Sequence, residues 1–272
     1  MAADAGALAD CKAWVSNLQA MVMEVDMQAA ALRGSFSQAA AAASQEWIEL
    51  ARHTVTQLRE AREGDPALAE RVQAIKTYQA RRFEMSYADL LASPRYRAAT
   101  RFFLDELYGP QEFGDRDSQF ARVIPGLVRL FPREVVETVE ELSQLHALSE
   151  ALDDTAARHL SRLPPDAAGY VHAWQATGRA PAREQQVALT LAIGRALDGF
   201  TRSRLMRSSL RLMRVPAQAA GLSALQGFLE SGFEAFGAMQ GADEFLRLIG
   251  ERERALAAAT GWARTPSARA EL

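Results

Sequence analysis

Along the chain, apolar residues recur at spacings of three and four over long stretches, and alternation at period two never persists long enough to make a strand. The pattern predicts an all-α protein, a multi-helix bundle of about eight to ten helices. From Leu8 to Leu32 the residues Val15, Leu18, Val22, Val25, Ala29 and Leu32 form one helical stripe, which Gly34-Ser35 interrupts. A second run then holds Ala39 to Ala43, Trp47, Leu50, Val55 and Leu58, and leaves through Glu60 and Arg62 to Gly64-Asp65-Pro66. The two runs read as a helical hairpin. Alanine favours helix strongly but buries little area, so the second arm either packs closely or is held marginally. Residues 1–64 are therefore expected to form an N-terminal hairpin or appendage, residues 65–263 the main all-helical domain, and residues 264–272 a frayed tail. A chain starting near Gly64 is expected to fold by itself, because the aromatic-rich segment lies after it.

Asp65-Pro66 is a strong helix start, with Asp as the cap and Pro at the first position. It predicts a helix from Ala67 to about Leu91, broken by Ser93-Pro94. In the next stretch Tyr96, Ala99, Thr100, Phe103 and Leu107 share one face, with Glu106 at its border. Gly109-Pro110 ends that helix, Asp115 caps the next, Pro125 bends or divides it, and Pro132 opens the one after.

The run FFLDELYGP, from Phe102 to Pro110, resembles the signature of the bacterial proteins called the FFLEELY-motif family, with Asp105 a conservative departure. The upstream RFEMSYADLLASPRY, from Arg82 to Tyr96, and the downstream Arg116-Asp117 are similar to that family as well, so the resemblance covers most of the chain after about Ala67. It implies helical fold boundaries and brings no reaction and no catalytic residues.

Two polar patterns stand out. On the helix expected from Arg133 to Leu163, Val135, Val139, Leu142, Leu145, Leu152, Ala156, Leu160 and Leu163 form the core-facing arc. His146, Ser149 and Asp153 project within it, and Glu150 sits at its edge. Polar side chains in mid-core need partners, since burying one without a partner costs about 1–3 kcal/mol. His146, Glu150 and Asp153 are weak candidates for metal ligands, because imidazole and carboxylates one turn apart suit metals in helical bundles. The Glu-x-x-His pairing usual there is absent, and a hydrogen-bonded network is the expected use of these residues.

The second pattern lies on a long helix expected from about Ala182 to Arg214. Its stripe runs Leu189, Ile193, Leu197 and Phe200, then continues in register as Arg204, Arg207, Arg211 and Arg214, with Gly199 marking a bend. Guanidinium groups fork onto oxyanions, so this ladder is a candidate site for phosphate or another anion. Internal pairing with Glu106, Glu150 or Asp153, or solvent exposure, is the expected outcome. Further on, Leu222, Leu225, Leu229, Gly232, Phe233 and Phe236 form an apolar seam in which Gly227 and Gly232 permit a close helix neighbour. The last helix, from Ala242 to about Trp262, reads with Phe245, Ile249, Arg252 and Leu256 on its stripe.

Composition narrows the function classes. A chain of 272 residues, 49% hydrophobic and 24% charged, buries a full core. Its net charge of −3 argues against a surface given over to nucleic acid. The single cysteine, Cys11, excludes an intrachain disulfide and a cysteine-rich zinc cluster. No apolar run approaches the roughly 20 residues of a membrane-spanning helix, and the start MAADAGALAD carries acids where a signal peptide carries positive charge. A cytoplasmic location is expected. No phosphate loop, dinucleotide fingerprint or nucleophile–base pair is present in the sequence, and no cofactor is expected. The favoured reading is a non-catalytic helical interaction or regulatory module, with a protein partner or a second copy engaged through the N-terminal hairpin.

Overall fold

The computed structural model describes residues 38–107, 118–124 and 133–261, and every regular element among them is helical. Helices α1 (Gln38–Glu63), α2 (Pro66–Ser86), α3 (Ala88–Ala92) and α4 (Arg97–Phe102) lead into a π-helical turn at Phe103–Leu107. A helical stretch at 118–124 precedes α5 (Arg133–Arg158), α6 (Ala167–Ala176), α7 (Ala180–Thr201) and α8 (Arg204–Leu212). Then come α9 (Arg214–Ala219), α10 (Ser223–Met239) and α11 (Asp243–Ala259). The fold is the expected all-α bundle among these residues. The first hairpin arm, Gly109-Pro110, Asp115 to Asp117, Pro125, Pro132 and the tail from 264 lie outside the described residues.

The chain forms two compact units. Among the described residues, the first holds α1 as far as Glu49, the stretch 118–124, α5 as far as Glu140, the end of α7 from Ala196, and α8 to α10. The second holds α1 from Leu50, α2 to α4 with the π-helical turn, α5 from Glu141, α6, α7 as far as Arg195, and α11. In the first unit Val123, Met213, Ala217, Ala220, Leu222 and Leu225 pack together, and Ile48 meets Ile124 and Val136. In the second, Leu68, Val72 and Ile75 of α2 pack on Leu152, Ala156, Ala157 and Leu160 and on Tyr170, Ala173 and Trp174 of α6. Tyr78 stacks on Tyr170 with ring centroids 4.3 Å apart.

Local chemistry sets the helix ends. The Asp65 carboxylate accepts from the Leu68 N–H at 3.1 Å, with Pro66 opening the helix as its sequence predicts. Asp166 caps α6 in the same way, through the Gly169 N–H at 2.8 Å. Four expected helices are broken or cut short, and the one read from Arg133 to Leu163 ends at Arg158 and leaves Leu163, placed on its core-facing arc, exposed. The helix expected to reach Leu91 ends at Ser86, where Tyr87 buries its ring and caps. The aromatic helix widens at Phe103–Leu107, which takes Glu106 out of the α-helical register that placed it beside Phe103. The expected 182–214 helix closes when the Arg202 and Ser203 N–H groups bond back three residues, to Gly199 and Phe200, and α8 starts afresh. The arginines from Arg204 onward therefore do not continue the Leu189 to Phe200 stripe.

Gly227 does not supply the close helix approach that the sequence suggested for it, and a close approach lies between α7 and α11. A Cβ at Gly227 meets nothing within 4 Å, whereas one at Gly194 of α7 would stand 2.5 Å from Leu246 Cδ2 of α11. Gly250 of α11 faces Leu191 of α7 reciprocally, at 2.9 Å. Each helix offers the other a glycine notch for a leucine. Gly194→Ala is expected to overpack this contact and cost about 1–3 kcal/mol before helix propensity returns part of it. Gly227→Ala, at an exposed helical position, is expected to gain up to about 1 kcal/mol. Urea unfolding of the two variants distinguishes the notch from the open site.

Candidate functional site: a buried ionic network

Four side chains of α5 enter the second unit within little more than one turn: Ser149, Glu150, Asp153 and Asp154. The three acids are buried, and Ser149 is half-buried. Isolated carboxylates do not survive such an environment charged, so each needs a cation or donor. Glu150 receives two cations, Arg62 Nη1 from the last turn of α1 and Lys76 Nζ from α2, each at 2.5 Å. Arg62 also donates from Nη2 to the Glu150 carbonyl oxygen at 3.1 Å and from Nε to Asp154 Oδ1 at 3.3 Å. Arg158, one turn further along α5, holds the other Asp154 oxygen at 3.0 Å. Asp153 accepts from Gln79 Nε2 at 2.8 Å, and Ser149 Oγ accepts from Gln186 Nε2 of α7 at 2.6 Å.

A second centre adjoins through Arg183, which donates to Gln186 and stands 3.5 Å from Glu253 Oε2 of α11. Arg82 of α2 forks onto both Glu253 oxygens at 2.9 and 3.2 Å, and the Tyr87 hydroxyl donates to Glu253 Oε1 at 2.8 Å. The Arg183 guanidinium lies over the Trp174 ring, 4.9 Å from its centroid. Together the two centres tie α1, α2, α5, α6, α7 and α11 by polar contacts that fix helix register as well as proximity.

The carboxylates differ in their electrostatics. Burial pushes Glu150 up, but Lys76 and Arg62 outweigh it and hold the group at about 2. Burial raises Asp153 to about 6, because Lys76 and Gln79 only partly offset the lost hydration and Glu150 adds like charge. Burial likewise opposes ionisation of Glu253, yet Arg82 and Arg183 bring it below its ordinary range. Burial lifts the Tyr170 phenol to about 12. The set is five helices' worth of charge locked in complementary states, with Asp153 the acid least willing to ionise.

The candidates read from sequence fall in three places. Ser149, Glu150 and Asp153 belong to this network. His146 is half-buried one turn before Glu150 on α5, and Glu106 is half-buried in the π-helical turn. Among the described residues no three His, Cys, Asp or Glu converge as a metal-holding group. The arginines sit in the first unit. Arg204 opens α8, and its side chain lies outside the described set. Arg207 is half-buried, donates from Nη2 to the Thr201 carbonyl at 2.8 Å, and lies so close to α10 that a Cβ on Gly237 would meet it at 2.8 Å. Arg214 forks onto Glu230 of α10 at 2.7 and 3.2 Å, and Arg211 stands 3.8 Å from Glu234. The acids facing these two arginines are thus Glu230 and Glu234, while Glu150 and Asp153 face Arg62, Lys76 and Gln79.

Sequence reasoning missed Arg62, Lys76, Gln79, Arg82, Arg183 and Glu253. A signal was present on α2, where Leu68, Val72 and Ile75 set a four-three spacing whose next core positions are Gln79 and Arg82 or Phe83. On α11 the stripe was read through Arg252, but Glu253 is the buried residue. Arg252 instead reaches out to the Asp89 carboxylate with two bonds of 2.7 Å. Arg62 carries a testable consequence, since a cut at Gly64 removes it. Arg62→Ala is expected to cost about 1–3 kcal/mol by taking charged hydrogen bonds from Glu150 and Asp154. The midpoint of urea unfolding reads this directly.

Helices locked by charge inside one unit, with a small-residue helix contact beside them, define an all-α bundle domain with a polar interior. Residues 57–261 match the family described as Domain of unknown function (DUF8198), and the chain belongs to that family. The matched span starts within α1 and takes in every residue of the network. No curated protein and no solved structure matches the chain. No helix among the described residues is long and apolar enough to cross a membrane.

Proposed function

We propose that this chain is a non-catalytic cytoplasmic helical protein of the bacterial FFLEELY-motif kind, an interaction or regulatory module that works through its surface. The observation that supports the reading is the closure of the buried acids. Glu150, Asp153, Asp154 and Glu253 each accept hydrogen bonds from donors of the same chain, as the acids of a structural network do. A protein partner or a second copy, met through the N-terminal hairpin, is the client this reading expects. Elemental analysis and native mass of the purified full chain test it together. The expected result is no metal near stoichiometric amount and a mass above the 29.8 kDa of one chain. Metal at near-stoichiometric amount, lost on His146→Ala, transfers the argument to a metal-dependent bundle enzyme.

One observation favours a second reading, an anion binder. Arg207 Nε is buried without a hydrogen-bond partner, one turn from the exposed Arg211. On that reading inorganic phosphate raises the melting temperature of the parent but not of Arg207→Ala.

A further inference from the structure

Helices α8 and α9 are apolar on two sides. Their inner side, with Leu210, Met213, Ala217 and Ala220, is buried in the first unit. Met213 links the two helices with a right-handed helical backbone, so one register runs through both. In that register Leu212, Val215, Pro216 and Ala219 line up on the outer side, at steps of three, four and seven from Leu212. Leu212 is 68% and Val215 72% exposed, Ala219 is exposed and Pro216 half-buried. A single exposed aliphatic residue is ordinary, but four on one stripe form a patch of the kind that marks a contact site.

The segment is also strongly basic. From Arg202 to Arg214 it holds five arginines and no acid. Asp198 takes Arg202 and Glu230 takes Arg214, while Glu234 stands 3.8 Å from Arg211. Arg207 meets no carboxylate among the described residues and donates from Nη2 to the Thr201 carbonyl. Positive charge is therefore left over, and Arg211 and Arg214 keep side chains 61% and 56% exposed at the border of the stripe. We propose that the outer side of α8 and α9 is a reversible contact for an anionic lipid surface, with Leu212 and Val215 entering the headgroup boundary and the bordering arginines meeting lipid phosphates. Arginines clustered on an amphipathic helix recognise such a surface through forked bonds to phosphate and through the potential they sum. Two features favour lipid over protein. Leu212 and Val215 stand out from the surface, whereas a helix received from a partner protein needs a groove. A second copy meeting through the same patch brings a second row of arginines into one interface, where an anionic surface neutralises the first. The inference is independent of the functional reading above, whose partner engages the N-terminal hairpin.

Co-sedimentation of the full chain with vesicles tests the proposal, using equal parts phosphatidylserine and phosphatidylcholine against phosphatidylcholine alone, at low salt. The parent is expected to sediment with the mixed vesicles only, and to be released as salt rises. Leu212→Ser with Val215→Ser is expected to weaken binding about tenfold or more. Arg211→Gln, which reads the same face without touching its apolar pair, is expected to weaken it about fivefold. Both variants alter exposed side chains, and an unchanged urea midpoint shows that they fold. Met85→Ser, at an equally exposed apolar residue of the second unit, is expected to bind as the parent does. The proposal is overturned when the parent stays in solution with the mixed vesicles, when both variants bind as tightly as the parent, or when Met85→Ser loses as much as they do. A native mass that falls to one chain in the double variant assigns the face to a second copy instead. Retention of the parent, but not of the double variant, on immobilised polyglutamate without any vesicle binding assigns it to an acidic protein segment, and the lipid contact fails.

Discussion

Glu253→Gln is expected to cost about 3–5 kcal/mol in unfolding free energy, among the largest effects of any single substitution in this chain. The side chain keeps its size and loses its charge. Arg82 and Arg183, both buried, are then left facing an amide in place of the carboxylate that balances them, and the Tyr87 hydroxyl keeps a weaker acceptor. Arg183 retains the Trp174 ring, which is why the cost sits in that range rather than above it. Arg82→Met alone is expected to cost less, because Arg183 and Tyr87 still attend the carboxylate. The double replacement Arg82→Met with Glu253→Leu is expected to recover only the part of the loss that falls on Arg82, since Arg183 is still left without its carboxylate. Urea unfolding at neutral pH measures all three. If Glu253→Gln unfolds at the parent's midpoint, the pair is solvated and the account of the second centre is wrong.

The all-α class was legible because helical periodicity is a property of each segment alone, and Asp65-Pro66 shows how far local signals reach. The carboxylate cap and the proline at the first helical position need only neighbouring atoms, and the cap bond forms as the sequence predicts. Helix interruptions were harder to see. Nothing in Thr201-Arg202-Ser203 forbids helix, and the break there follows from three-residue closure at Gly199 and Phe200, which depends on what surrounds the turn. Reading through that break is what made an arginine ladder seem to extend a core stripe.

The network shows the same division. Ser149 and Asp153 announced themselves as polar residues on an apolar arc, because their own helix sets the standard they violate. Their partners did not, since Lys76 on a helix face reads as solvated until α5 is placed beside it. Gln79 and Arg82 were within reach of the argument, for they occupy core positions in the α2 spacing. Glu253 was lost by one residue of register, with Arg252 taken in its place. Pairing between helices distant in sequence is set by packing geometry, and a periodicity argument ends at the surface of each helix.

Asp153 is expected to make stability fall as pH rises from about 4 to about 6. Its folded value of about 6 lies above its ordinary 3.8, so across that interval the folded chain holds a proton that the unfolded chain has released. Folded protein is then favoured by acid, and the advantage is gone once pH exceeds about 6. The difference of roughly two pH units corresponds to about 3 kcal/mol between the two ends of the window. Glu150 acts with the opposite sign and lower on the scale. Its folded value of about 2 lies below its ordinary 4.5, so its contribution is present above 4.5 and disappears as pH falls toward 2. The parent's stability is therefore expected to peak near pH 4 to 5 as far as these two groups govern it. Asp153→Asn keeps an acceptor for Gln79 without a charge to bury, and it removes the falling limb. Its stability relative to the parent should grow between pH 4 and 6 and stay constant above. Groups that titrate alike in both proteins cancel in that difference. Glu150→Gln should show the reverse, losing ground to the parent as pH rises from about 2 to 4.5 and keeping a constant deficit above that. Urea unfolding of the three proteins at half-unit steps from pH 3 to 8 decides the matter, and parallel curves for the parent and Asp153→Asn between pH 4 and 7 would show that Asp153 titrates normally and is not sealed from water.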